Sequence, residues 1–146
     1  ADTAYATAIA NWMHHIKHDK VPFLNGDGTQ RRDMVHVDDV ISANIFAMKH
    51  EGIFRGSVFD VGTGNNISLN RVIEIVHRHF PNVKFERRPP RQGDVLLTKA
   101  NINPLKSLGW RAKISIEEGI NNCFNELSEH LCGKGRSAMR NIDYKT

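Results

Sequence analysis

At 146 residues the chain is one domain in length, with room for a hydrophobic core, and its 40% hydrophobic and 25% charged residues are those of an ordinary globular protein. No apolar run approaches a membrane span and no charged-then-apolar leader is visible, so neither membrane insertion nor export is expected. A net charge of +4 is too mild to dictate a nucleic-acid partner.

Tyr5, Ile9, Trp12, Met13 and Ile16 recur at helical spacing, which predicts an amphipathic helix over residues 3–18. Residues 21–25 read as a strand closed by a Gly26-Asp27-Gly28 turn, and residues 34–37 as a second strand. Asp38 or Asp39 is the expected N-cap of a helix that turns Val40, Ile41, Ile45 and Met48 inward and stops near Gly52. Residues 57–61 (SVFDV) read as a strand running into Gly62-Thr63-Gly64. Ser68 is the expected cap of a helix built on Leu69, Val72, Ile73, Val76 and Phe80, which Pro81-Asn82 stops. Residues 83–87 alternate like a half-buried strand until Pro89-Pro90 interrupts them.

Residues 95–98 are short and extended, and a brief helix starts at Asn103-Pro104 and ends at Gly109. Ser115 and Glu118 form a capping box for a long last helix whose stripe is Ile116, Ile120, Phe124, Leu127 and Leu131. Beyond it periodicity stops and charge accumulates, so residues 1–132 are read as the domain and residues 133–146 as a basic, mobile tail. Helices and strands alternate, the mark of an α/β fold, with few and short strands and about five helices.

Most candidate chemistry has a plainer explanation. Cys123 and Cys132 stand nine residues apart on one helix, too far for a disulfide, which favours reduced thiols and a cytoplasmic setting. Basic residues cluster at Arg78, Lys84, Arg87, Arg88 and Arg91 and again in the tail, but no aromatic residues interleave with them for stacking on bases. A solvated face or a local phosphate site therefore fits better than nucleic-acid binding. His14 and His18 are one turn apart with Asp19 nearby, yet nothing is spaced to complete a metal shell, so no metal is expected. No serine sits in a nucleophile elbow and neither cysteine has an activating neighbour, which leaves no catalytic residue to name. Residues 58–86 mimic a dinucleotide fingerprint, but Ile67 replaces its third glycine, and a tight strand-to-helix turn is the better account.

Two loops remain. One lies within residues 23–40, FLNGDGTQRRDMVHVDDV, and the other is PRQGD at residues 90–94. Each offers an arginine beside an aspartate, a combination suited to a diphosphate flanked by hydroxyls; the plain alternative is surface salt bridging.

These residues resemble the C-terminal, substrate-binding part of the extended short-chain dehydrogenase/reductases, and within them the NAD-dependent nucleotide-sugar epimerases and dehydratases. The similar segments are AYATAIANWM, GDGTQRRDMVHVDDV, FDVGTGNNISL, PPRQGDV and LGWRAKISIEEGI, in family order over about residues 4–128. The resemblance implies a partial Rossmann-like fold. It also implies that Arg32 and Arg91 bind the diphosphate of a nucleotide-diphosphate sugar and that Asp94 accepts from the ribose. The segment from Phe23 to Asn25 would lie along the base and offer it backbone groups. Met34 departs from the family, where an aromatic usually follows the Arg-Asp pair.

The family's Gly-rich NAD loop and Tyr-x-x-x-Lys pair have no counterpart, since Tyr5 is followed four residues later by Ile9. The chain is therefore expected to be inactive alone and not to bind NAD tightly, NAD being the cofactor of the complete enzyme. Missing neighbours would expose an apolar face of the helix near residues 39–50 and a sheet edge at residues 57–61, inviting self-association or a missing N-terminal half. A non-catalytic nucleotide-sugar-binding or assembly module is the alternative, and a nucleic-acid-binding domain a lesser one.

Overall fold

The structure, a computed structural model, describes residues 7–133, so Tyr5 and the predicted tail beyond Gly133 lie outside the described residues. In chain order the elements are α1 (Ala8–Lys17), β1 (Phe23–Asn25), β2 (Arg31–Arg32), α2 (Val37–Lys49), β3 (Ile67–Ser68), α3 (Leu69–His79), β4 (Glu86–Arg88), α4 (Asn103–Leu108) and α5 (Ile116–Gly133). β1 pairs in parallel with β4, Phe23 opposite Glu86 and Asn25 opposite Arg88. β2 pairs antiparallel with β3, Arg32 opposite Ile67. The fold is α/β and partial Rossmann-like, with its strands in two small sheets.

Local signals place most helix ends. Thr7 is extended and its Oγ1 accepts from the Ala10 N–H, so α1 starts at Ala8; residues 3–6 of the predicted helix lie outside the described residues. Ser68 Oγ accepts from the Arg71 N–H at 3.2 Å, capping α3, and Ser115 Oγ accepts from the Glu118 N–H at 3.2 Å, supplying that half of the predicted capping box. Gly109, at φ +105°, closes α4 in the left-handed conformation that glycine adopts without steric cost.

The main core joins α1 (Trp12, Ile16), β1 (Leu24), α3 (Leu69, Val72, Ile75, Val76) and α5 (Ile120, Phe124, Leu127). Burying one such side chain contributes about 1.5–3 kcal/mol. Spacings of three and four along α3 and α5 put these residues on facing stripes, which is why the two helices pack together. A smaller cluster unites Ala43 of α2 with Leu105 of α4 and Trp110. Trp110 Nε1–H donates to Ser42 Oγ at 3.0 Å and fastens it.

Three expectations fail around α2. Residues 34–36 form no strand, because the pairing backbone is that of Arg31–Arg32. The cap of α2 is His36, whose Nδ1 accepts from the Asp38 N–H, and not Asp38 or Asp39. Asp39 is instead buried, its carboxylate accepting from the Lys113 and Ile114 N–H groups at 2.9 and 3.0 Å. Those two donors lie in irregular backbone ahead of α5, and without the carboxylate they would lack a partner.

The inward stripe also fails: Ile41, Ile45 and Met48 are 50%, 45% and 85% exposed, and only Ala43 and Asp39 of α2 are buried. The exposed apolar helix face anticipated above is therefore present. The sheet edge is not, because residues 57–61 form no strand and Val58 is 92% exposed. A strand is held by its neighbour's ladder, and no described strand lies beside this segment.

Candidate functional site

An open cleft of about 1100 Å³ runs between α1, β1 and the loop ahead of residue 94. Alternation along β1 sends Leu24 into the core and leaves Phe23 and Asn25 on the cleft. The Phe23 and Asn25 carbonyls each already accept a side-chain donor: Trp12 Nε1–H reaches Phe23 O at 2.7 Å, and the buried Gln30 Nε2–H reaches Asn25 O at 2.7 Å. Each oxygen keeps a second lone pair for a ligand.

The Gly-Asp-Gly turn that follows is pinned from inside. Asp27 accepts from Thr29 N–H and Oγ1–H at 2.9 and 2.7 Å, and these bonds hold its carboxyl below the usual carboxylate range. Its backbone oxygen accepts from Asn70 Nδ2 and Arg87 Nη1 at 3.0 and 2.9 Å. Gly28 has φ +82°, and a Cβ there would run into the Asn70 amide, so the turn demands glycine on both counts. This turn braces β1 against α3 and β4.

Arg31 and Arg32 alternate in direction, as strand residues do. Arg31 points away to Asn66, donating from Nε and Nη2 at 2.5 and 3.0 Å. Arg32 lines the cleft, and its Nη2 meets Asp94 Oδ1 at 2.6 Å with both side chains partly exposed. The two loops therefore meet, with Arg32 of one paired to Asp94 of the other, the kind of salt bridge that the plain alternative describes.

Asp33 explains how. Its Oδ1 accepts from Thr63 N–H and Oγ1–H at 3.0 and 2.7 Å, and its Oδ2 from the Gly64 and Ala100 N–H groups at 3.0 and 3.1 Å. Beside it Arg31 N–H donates to Leu96 O at 2.8 Å and Thr98 N–H to Arg31 O at 3.0 Å, so residues 96–100 run along β2. The loop carrying Asp94 is thereby held next to Arg32. In that loop Gly93, at φ +77°, lets Asp94 N–H reach back to Arg91 O at 3.1 Å, and Arg91 lines the same cleft.

Within the glycine pattern at residues 62–64, the Thr63 and Gly64 N–H groups are directed at Asp33. A Cβ on Gly62 would collide with Ala100, which is the constraint that keeps this glycine small. These residues do not fit the pyrophosphate of NAD, because the donors a dinucleotide loop would aim at phosphate are already taken by a carboxylate of the chain itself.

All five residues singled out from sequence, Phe23, Asn25, Arg32, Arg91 and Asp94, line this one cleft. Met34 lines it too and packs against the main core. Sequence reasoning missed Trp12, Gln30, Arg88 and His15, which also line it. Gln30 carries a faint signal as a polar residue between a turn and a strand. Arg88 shows in the sequence only as a member of the basic cluster around Arg91, and its place on the cleft comes from the β1–β4 pairing. The His14 and His18 rings lie tilted to one another with centroids 4.3 Å apart, and among the described residues no three candidate ligands gather around a metal position. No helix among the described residues is long and apolar enough to cross a membrane.

Residues 1–62 match the NAD dependent epimerase/dehydratase family. The chain is 35% identical over 127 residues to a UDP-glucuronate 4-epimerase of Thermodesulfobacterium geofontis, covering 85% of this chain and 38% of the relative. The crystal structure of a Thermotoga maritima UDP-glucose 4-epimerase with UDP-glucose superposes with a TM-score of 0.75 at 30% identity, over 86% of this chain and 40% of that one. A second structure, MoeE5 in complex with UDP-glucuronic acid and NAD, gives a TM-score of 0.74 at 28% identity, over 86% of this chain and 42% of that one. The chain thus spans about two fifths of the length of each.

Proposed function

As a member of the NAD-dependent epimerase/dehydratase family, this chain is, we propose, the portion of such an enzyme that binds the nucleotide-diphosphate sugar. The observation that carries the proposal is the convergence of Arg32, Arg91 and Asp94 on the cleft floored by β1. Arg32 and Arg91 hold the diphosphate through charge-assisted hydrogen bonds, and Asp94 accepts from the ribose hydroxyls. Phe23 and Asn25 offer the base their remaining carbonyl lone pairs. The substrate class is a UDP-sugar, as in the relatives whose names carry UDP-glucose or UDP-glucuronic acid.

NAD is the cofactor of the complete family enzymes and supplies hydride transfer there. In this chain Tyr5 is followed four residues on by Ile9, and the glycine turn at residues 62–64 is committed to Asp33. The chain alone is therefore expected to leave a nucleotide sugar unchanged. Ligand-detected NMR should show uridine diphosphate binding better than the monophosphate, with the preference shrinking as salt rises. Equal binding of the two would overturn the diphosphate clamp. Micromolar NAD binding by calorimetry, or any epimerised product, would overturn the assignment of this chain to substrate binding alone.

One observation favours an additional assembly role. Ile41, Ile45, Met48, Ile53 and Val58 are all exposed, and apolar residues gathered at a surface are the material of contact faces. The purified chain is expected to be a dimer or larger by light scattering. Ile45→Glu with Met48→Glu should shift it towards monomer with unchanged circular dichroism, whereas a monodisperse monomeric parent would remove this role.

A further inference from the structure

Arg88 occupies a position that the diphosphate clamp does not use. Phe23 stands directly opposite Glu86 in the β1–β4 register, which makes Arg88 its diagonal neighbour, within reach of a long side chain. Glu86 and Arg88 project from the same side of β4, and Glu86 Oε2 accepts from Arg88 Nη2 at 2.8 Å. That contact draws the guanidinium back across the strand pair, where its central carbon lies 3.8 Å from the centroid of the Phe23 ring. His15 meets the same ring edge-on at 5.5 Å, and its Nδ1 is tied to Asn11 O at 2.7 Å. The Phe23 ring is thus held from both the helix and the strand. Arg88 lines the cleft, and its side chain remains 44% exposed.

A guanidinium centred 3.8 Å over an aromatic ring offers a planar, cationic surface of the kind on which nucleobases stack. We propose that Arg88 is the stacking platform for the base of the bound nucleotide, with Phe23 beneath it and Glu86 fixing its direction. The platform rests on the nucleotide-sugar assignment above and adds to it the residue that recognises the base as a flat ring. It divides the cleft into an Arg32–Arg91 station for the diphosphate and an Arg88–Phe23 station for the base. The Glu86 carboxyl is held below the usual carboxylate range by its bond to Arg88, so the arrangement persists throughout the neutral range.

The test uses two probes, uridine diphosphate and inorganic pyrophosphate, with the parent chain, Arg88→Lys and Arg88→Ala. Lysine keeps the charge and loses the plane. Stacking on a side chain is worth enough that both variants should weaken uridine diphosphate roughly fivefold or more. Pyrophosphate, which has no base, should change by less than about twofold in Arg88→Lys, where the charge is retained. Circular dichroism that superposes on the parent shows that the variants are folded.

Uridine diphosphate binding to Arg88→Lys as tightly as to the parent would overturn the platform while leaving the diphosphate clamp intact. Tighter binding would overturn it too, since the guanidinium would then be competing with the base for the Phe23 face. A parent that binds pyrophosphate as well as uridine diphosphate has no base station. A parent that binds neither overturns the nucleotide-sugar assignment and the platform together.

Discussion

Asp33→Ala is expected to lower the free energy of unfolding by about 3 kcal/mol, out of the roughly 5–15 kcal/mol typical of a domain. The carboxylate accepts three backbone N–H groups, of Thr63, Gly64 and Ala100, together with the Thr63 hydroxyl. Alanine leaves all of them without that acceptor. Each unsatisfied buried donor costs about 1–3 kcal/mol, and partial access of water brings the sum towards the lower end. Asp33→Asn should cost less, because its one remaining oxygen still accepts, although its amide hydrogens then face donors.

Urea unfolding checks this through a lower midpoint at unchanged slope. The same variant should lose uridine diphosphate affinity, because Asp33 holds residues 96–100 along β2 and with them the loop that sets Asp94 beside Arg32. Gly62→Ala should act in the same direction, since the added methyl meets Ala100 and crowds Asp33 Oδ2. An unfolding free energy for Asp33→Ala within about 0.5 kcal/mol of the parent, as for an ordinary surface change, would show that the carboxylate does not organise these loops.

Arg32→Ala and Arg91→Ala should each weaken uridine diphosphate binding by about tenfold or more, the equivalent of one lost hydrogen bond to a charged group. The Arg32–Asp94 contact at 2.6 Å makes the two unequal. Removing Arg32 also leaves the Asp94 carboxylate uncompensated beside an incoming anion, so Arg32→Ala should be the more damaging. The double variant Arg32→Ala with Asp94→Ala should then recover part of the loss, a coupling that a double-mutant cycle reads directly.

Asp94→Ala alone should reduce affinity for the nucleotide yet keep its preference for diphosphate over monophosphate, since ribose contacts are lost and phosphate contacts stay. Lys106→Ala, exposed on α4 and not among the cleft residues, should bind like the parent. If Arg32→Ala and Arg91→Ala both bind like the parent, the two loops do not act as one ligand site.

What was legible in the sequence is what local spacing encodes. The Ser68 cap, the Ser115 cap, the Gly109 stop and the stripes of α3 and α5 follow from backbone donors that need a partner within three residues and side chains that recur every three or four. The Gly-Asp-Gly turn and the Arg and Asp of the two loops were visible for the same reason, and those candidate residues line a common cleft.

Tertiary structure alone decided where the carboxylates go. Asp33 and Asp39 look in sequence like a site residue and a helix cap, yet they bind backbone at residues 63, 64 and 100 and at residues 113 and 114. Irregular backbone advertises its unpaired N–H groups by no period, so nothing in the spacing points from such a carboxylate to its partners. Arg88 lies over Phe23 only because β4 runs parallel to β1. The same holds for the segments that did not behave as their patterns suggested. Val58 and the Ile41–Ile45–Met48 face carry the hydrophobicity of buried residues, but burial needs a second surface, and among the described residues none covers them.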